Sequence, residues 1–367
     1  MAIDRRALLG LGAVALAATA TRALGLEEGS ERYVSAARRT DGRFVLVIVS
    51  GDGRIERELA LEARGHDIAF APDGRTAVVF ARRPGTFALA VDIGSGTPRA
   101  LFATPPDRHF YGHGAFSPDG RLLFATENDF AGARGVLGVY DVGASFRRIG
   151  EIDTHGVGPH DVLLLADGRT LCVANGGIET HPDSGRAKLN LHSMRPSLAF
   201  IDRTNGELRA RHELSAGLAR LSIRHLCVDS ESRVWFGGQW QGEALESPEL
   251  IGHAGADTPA RLVDPSRPLG ALMKGYIGSI ATTDDGLIVA ATSPRAGRTI
   301  YLDAETERVI GETVLADCCG VAPAYGGAIA VSSGLGRLEI DSPRRTSTRS
   351  TAVDGLSFDN HMRRLPS

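Results

Sequence analysis

The sequence predicts an all-β protein, a seven-bladed β-propeller of YVTN- or WD40-like four-stranded blades, closed by strands from both termini. Three observations carry this. A turn built on Asp-Gly recurs between short apolar runs. A third strand ending in Asp recurs behind it, and both markers return at a period of roughly 40–50 residues.

Arg5-Arg6 are followed by fourteen uncharged small or apolar residues (Ala7 to Ala20) and by small-residue cleavage options ending at Ala17, Ala20 or Ala23. That is the layout of a cleaved twin-arginine signal over 1–23, which leaves 24–367 as one propeller domain in the periplasm. The apolar run is shorter than the ~20 residues a bilayer requires, so no transmembrane anchor is expected.

The blade markers follow. The turn reads Ala71-Pro72-Asp73-Gly74-Arg75, Ser117-Pro118-Asp119-Gly120-Arg121 and Ala166-Asp167-Gly168-Arg169, then Asp229-Ser230-Glu231-Ser232-Arg233 and Thr283-Asp284-Asp285-Gly286. Asp-Gly between apolar runs is a hairpin signal because glycine accepts the positive φ such turns need. Third strands end at Asp92, Asp141, Asp202, Asp303 and Asp341. Six blades start near His66, His113, His160, His225, Gly278 and Cys319. The seventh takes three strands from the N-terminus (33–38, 44–50 and 54–61) and its innermost strand from 360–365. Such closure leaves no long free edge.

Composition narrows the function classes. The 41 Lys and Arg against 44 Asp and Glu are interspersed, with a net charge of −3 and no basic stripe, which argues against a nucleic-acid partner. Four cysteines without CxxC or CxxCH support neither a disulfide framework nor covalent haem. Cys172 and Cys227 lie in apolar strand patterns and read as buried thiols.

Aligning the first residues of the innermost strands gives the main functional clue. The equivalent positions are His66, His113, His160, His225, Gly278, Cys319 and His361, five histidines in seven places. The first residue of an innermost strand sits at one mouth of the channel, so a residue repeated there forms a ring pointing inward. Imidazole is the commonest transition-metal ligand and thiolate adds soft character, so the set suits copper, iron or zinc rather than calcium or magnesium. Six such groups exceed the four ligands an N/S site usually takes, and His113, His160, His225 and His361 lead the candidates, followed by His66 and Cys319. The competing reading is structural, since Gly-His pairs before an inner strand, as at Gly65-His66 and Gly112-His113, hold loops in many propellers.

A long polar loop, 175–196, lies on the same face and supplies candidate ligand-binding residues Asn175, Glu179 and His181. Asn128 occupies the matching loop of the preceding blade, within Glu127-Asn128-Asp129. Gly237-Gly238-Gln239-Trp240 occupies that of the following one.

Several strings resemble a bacterial family catalogued as a domain of unknown function. They are Gly158-Pro159-His160-Asp161, the run from Asn175 through Met194-Arg195-Pro196-Ser197-Leu198, Leu221-Ser222-Ile223-Arg224-His225, Trp235-Phe236-Gly237-Gly238-Gln239-Trp240 and Asp359-Asn360-His361. The resemblance covers nearly all of the mature chain. It implies a Tat-exported propeller, often encoded beside imelysin-type periplasmic iron-uptake proteins and a di-haem cytochrome, which become the expected partners. It carries no catalytic residue with it. Cys318-Cys319 departs from the single cysteine expected of relatives.

Three functional readings follow. One is a metal-binding protein holding iron or copper at the channel mouth and serving iron acquisition or handling. The second is a propeller lactonase-type hydrolase using Glu127, Asn128, Asn175 and Glu179 around a hard cation. The third is a non-catalytic envelope scaffold with an exposed apolar or aromatic patch around Trp235 and Trp240.

Overall fold

A computed structural model describes residues 31–366 apart from 186, 247, 266 and 346, so the predicted leader lies outside the described residues. Those residues form seven four-stranded antiparallel sheets, the blades of a propeller. Blade 1 joins Leu356–Arg364 to Arg32–Arg39, Phe44–Ser50 and Ile55–Leu61, the two-terminus closure expected from the sequence. The innermost strands of blades 2 to 7 are Gly65–Phe70, Arg108–Phe116, Pro159–Leu164, Leu221–Val228, Ser279–Thr282 and Cys318–Ala324. Among the described residues no helix is long and apolar enough to cross a membrane.

The Asp-Gly turns work as their chemistry requires. Asp73 Oδ1 accepts the backbone N–H groups of Arg75 and Thr76 at 2.8 Å, and Asp167 does the same for Arg169 and Thr170. Gly74 and Gly168 take φ of +64° and +63°, in the left-handed region. Blade 5 lacks the glycine, and Ser232 adopts that conformation instead at φ +61°. Its Asp229 is held by Trp235 Nε1 and Arg233 Nε, each at 2.7 Å.

Each blade's second strand is buried on both faces, which explains its unbroken apolar run. Val45, Val47 and Val49 pack toward blade 7, while Leu46 and Ile48 pack toward blade 2. The same alternation recurs around the ring, so the core is a set of apolar layers between neighbouring blades. The axis is left to the innermost strands, and there the polar residues gather. Cys172, Cys227, Cys318 and Cys319 are free and buried.

Candidate metal centre

A ladder break aims the ring residues inward. The innermost strands of blades 1, 2, 3, 4, 5 and 7 each lose register with their neighbour where the ring residue lies, at Phe358/Met362, Gly65/Ile68, Phe110/Gly114, Pro159/Asp161, Ile223/His225 and Cys318/Val321. A bulge re-aims a side chain at the cost of unpaired backbone groups. Second-strand hydroxyls satisfy some of these. Ser35 Oγ donates to His361 O at 2.6 Å, and Thr126 Oγ1 donates to His113 O at 3.2 Å. The paired strand of blade 6, Ser279–Thr282, runs without a register shift, and its ring position is glycine.

Five imidazoles converge as a result. Ring centroids lie 4.5 Å apart for His66–His361, 4.7 Å for His113–His361, 4.8 Å for His160–His225 and 4.9 Å for both His113–His160 and His225–His361. All five side chains are buried. One nitrogen from each of His66, His113, His160 and His361 falls within 4.8 Å of the others, close enough to share an ion. Close approach sets a requirement at Gly112, where φ is +107° and a Cβ would meet His66 Cδ2 at 2.5 Å.

The protonation states divide the ring. Burial drives His66 down to about 4 and holds His160, His225 and His361 well below their ordinary value, so these four are neutral near pH 7. His113 goes the other way. Burial pushes it down, but the charges of Asp161 and Asp67 outweigh that and raise it to about 9. Its Nδ1 lies 2.9 Å from Asp67 Oδ2 and 3.2 Å from Asp161 Oδ1. Burial also pushes Asp67 up, yet Arg363, then His113 and His361, hold its carboxyl well below the ordinary range. His66 Nδ1 similarly faces Asp359 Oδ1 at 3.4 Å. A carboxylate behind one ring nitrogen fixes the ring and leaves the other nitrogen as the ligand atom.

The remaining nitrogens have no hydrogen-bond partner. They are Nε2 of His113, His160 and His361, and both Nδ1 and Nε2 of His225. Buried polar groups are normally paired, and leaving one unpaired costs roughly 1–3 kcal/mol. A metal ion among such atoms would satisfy several at once, taking the place of the proton where a ring nitrogen carries one. His160 differs in one respect: Arg224 Nη1 approaches its Nδ1 at 3.3 Å. Arginine only donates, so that nitrogen accepts and the neutral ring's proton sits on Nε2.

The other candidates from the sequence lie elsewhere. Cys319 Sγ donates to Asp317 O at 3.1 Å, burial and then Asp317 raise its thiol far above the ordinary value, and it does not join the imidazoles. Asn175 Nδ2 donates to Thr154 O at 2.8 Å. Asn128 Nδ2 lies 3.0 Å from His109 Nε2 and donates to Thr180 O at 3.0 Å, so it anchors the long loop. The Glu179 N–H donates to Asn190 Oδ1, and His181 caps a 3₁₀ turn by accepting from Asp183 N. Glu127 turns into the blade, accepting from Tyr140 Oη at 2.6 Å and Arg148 Nη2 at 2.9 Å. The groups of the lactonase-type reading therefore do not converge. Nor does the scaffold patch exist at its expected place, because Trp235 is fully buried and the half-buried Trp240 packs against the core of blades 5 and 6.

Above the imidazoles is a cavity of about 220 Å³ whose floor includes His66, His160 and His225. Arg82, Arg83, Lys188, Arg224 and Arg295 line it, and no described Asp or Glu does. Burial and the neighbouring cations lower Arg224 to about 10 and lower Lys188 as well. The sequence marks none of these cations as a candidate site residue. Arg224 precedes a ring histidine, and Arg82 and Arg83 follow a second strand, near the position where Asn175 ends its own. Aligning those positions between blades is the signal that reveals them.

A family model described as "Protein of unknown function (DUF1513)" matches residues 59–365. The chain belongs to this family. No curated protein matches it. Among solved structures, it is similar to a periplasmic gluconolactonase of Pseudomonas aeruginosa at 15% identity, with a TM-score of 0.61, over 92% of this chain and 99% of that one. It is similar to the hydrazine synthase of Kuenenia stuttgartiensis at 14% identity, with a TM-score of 0.60, over 87% and 95%. At such identities the likeness is one of fold.

Proposed function

We propose that this DUF1513 protein is a periplasmic metal-binding propeller that holds iron or copper among its ring histidines and serves iron acquisition or handling. The observation that carries the reading is the set of buried imidazole nitrogens without partners on four blades, beside His66 of a fifth, gathered at the channel axis. An all-imidazole donor set suits a first-row transition ion, and one bound there would offer redox or Lewis-acid chemistry at the mouth. His66, backed by Asp359, is oriented to ligate through Nε2, and His113, backed by Asp67 and Asp161, would do so on giving up its second proton. His361 lies beside His66, His113 and His225, and completes the cluster. The twin-arginine leader supports export of a folded, metal-loaded chain. The resemblance noted above supports imelysin-type proteins and a periplasmic cytochrome as partners.

The test is metal content. The full chain, exported with its own leader and purified without a metal-binding tag, is measured by mass spectrometry beside His361→Leu. Near-stoichiometric iron or copper in the native protein, lost in a variant with an unchanged circular dichroism spectrum, is expected. Metal-free protein in both preparations overturns the reading.

A further inference from the structure

The cavity above the imidazoles has a chemistry of its own. Its walls come from four blades: Arg82 and Arg83 from blade 2, Lys188 from the long loop of blade 4, Arg224 from blade 5 and Arg295 from blade 6. Asp359 neutralises one of them, pairing with Arg82 at 3.4 Å. The others face the cavity without a carboxylate among its described lining residues, although cations crowded in a partly buried space repel one another.

Neutral groups hold these cations in place. Arg295 lies over the Tyr276 ring at 4.3 Å, and Lys188 Nζ donates to Gln241 Oε1. Gln241 is itself fixed by its Nε2 donating to Gln239 O at 2.9 Å. Arg224 is half-buried, its buried Nε has no hydrogen-bond partner, and its Nη1 rests against His160. A fold that places half-buried arginine around a space without counter-charge among its described lining leaves the counter-charge to a ligand. Guanidinium forks match carboxylate and phosphate oxygens. The cavity is smaller than the ~300–1,000 Å³ that drug-sized ligands occupy, so the ligand is small.

We propose that this vestibule binds a small, multiply charged oxyanion, a polycarboxylate or a phosphate, held by Arg83, Lys188, Arg224 and Arg295 directly above the imidazole floor. The site stands on the cations and does not require the metal. If the floor holds an ion, an oxyanion seated there is placed to share its coordination, so that metal would enter or leave as an anionic complex. The arginine positions would then select the chelate and the histidines the ion.

The test is isothermal titration of the full mature protein, first stripped of metal, with citrate, with inorganic phosphate and with the uncharged trimethyl ester of citrate. Citrate or phosphate is expected to bind at one site, the ester not to bind, and the stronger of the two anions identifies the ligand class. Arg83→Gln/Arg295→Gln is expected to weaken binding at least tenfold. Lys188→Ala, on the loop and away from the core, gives a second reading if the double variant unfolds, with several-fold weakening expected. Failure of both anions to bind, or equal binding by the ester or by Lys188→Ala and the double variant, overturns the proposal. Anion binding by a protein that never takes up metal would leave this site standing and remove only the metal reading.

Discussion

His113 Nδ1 lies 2.9 Å from Asp67 and 3.2 Å from Asp161, so one imidazole on blade 3 bridges carboxylates from the blades on either side. The chain of contacts continues. Asp67 accepts from Arg363 Nε of blade 1 at 2.9 Å, and Asp161 Oδ2 accepts the Leu226 N–H of blade 5 at 2.9 Å. Five blades are thus tied by one buried polar network under the ring. Partly broken networks of this kind are costly, because each remaining group is left desolvated.

Asp67→Asn removes the charge that pairs both Arg363 and His113. Breaking a buried pair from one side typically costs ~3–5 kcal/mol. The denaturant midpoint should fall accordingly, and the His113 imidazole resonances should titrate at lower pH than in the native protein.

The ring's stability should depend on pH with a definite sign. In the metal-free protein His66 titrates near 4 against about 6.5 when unfolded, and His160, His225 and His361 are depressed in the same sense. The unfolded chain then binds more protons below pH 6.5, so stability falls as pH drops from 6.5 toward 4. His66 alone contributes on the order of 3 kcal/mol to that loss. His113, raised to about 9, acts oppositely, its stabilisation being full below 6.5 and lost as pH rises through 9. Urea midpoints of metal-free protein should therefore decline below pH 6.5, and added metal should shift the decline to lower pH.

His225 has two unpartnered nitrogens and no stabilising hydrogen bond to lose. His225→Leu in the metal-free protein should unfold at the native midpoint or about 1 kcal/mol above it, since it removes unpaired buried polar atoms. The same variant should lose part of the thermal stabilisation that metal confers on the native chain. A residue whose removal helps the empty fold is retained for a ligand.

Gly112→Ala places a methyl against the His66 ring and forces alanine into a left-handed backbone. We expect a loss of ~1–3 kcal/mol together with weaker metal binding. Gly150→Ala, where nothing lies within 4 Å of the new methyl, is the control and should leave both unchanged.

Much of the architecture was legible in the sequence because it is periodic. The Asp-Gly turns and third-strand aspartates repeat once per blade, and the ring histidines fall at their register. The contacts between blades are not legible in the same way. The aspartates beside His66, His160 and His361 look like ordinary loop acids until the bulges turn them across to a neighbouring blade. Arg363 meets Asp67 across 296 positions of chain, a relation only ring closure creates. Asn128, Asn175 and Glu179 stood out as polar loop residues, but those side chains or backbones hold the loop that carries Lys188 to the cavity. Cys319 shares the ring position, yet its thiol turns back to Asp317.

X-ray absorption at the metal edge of the loaded protein tests the central claim most directly. Nitrogen ligands at ~2.0–2.1 Å with imidazole outer-shell scattering and no sulfur are expected, unchanged in Cys319→Ser and lost with the metal in His361→Leu. A sulfur shell near 2.3 Å, or a shell of oxygen alone, would contradict it.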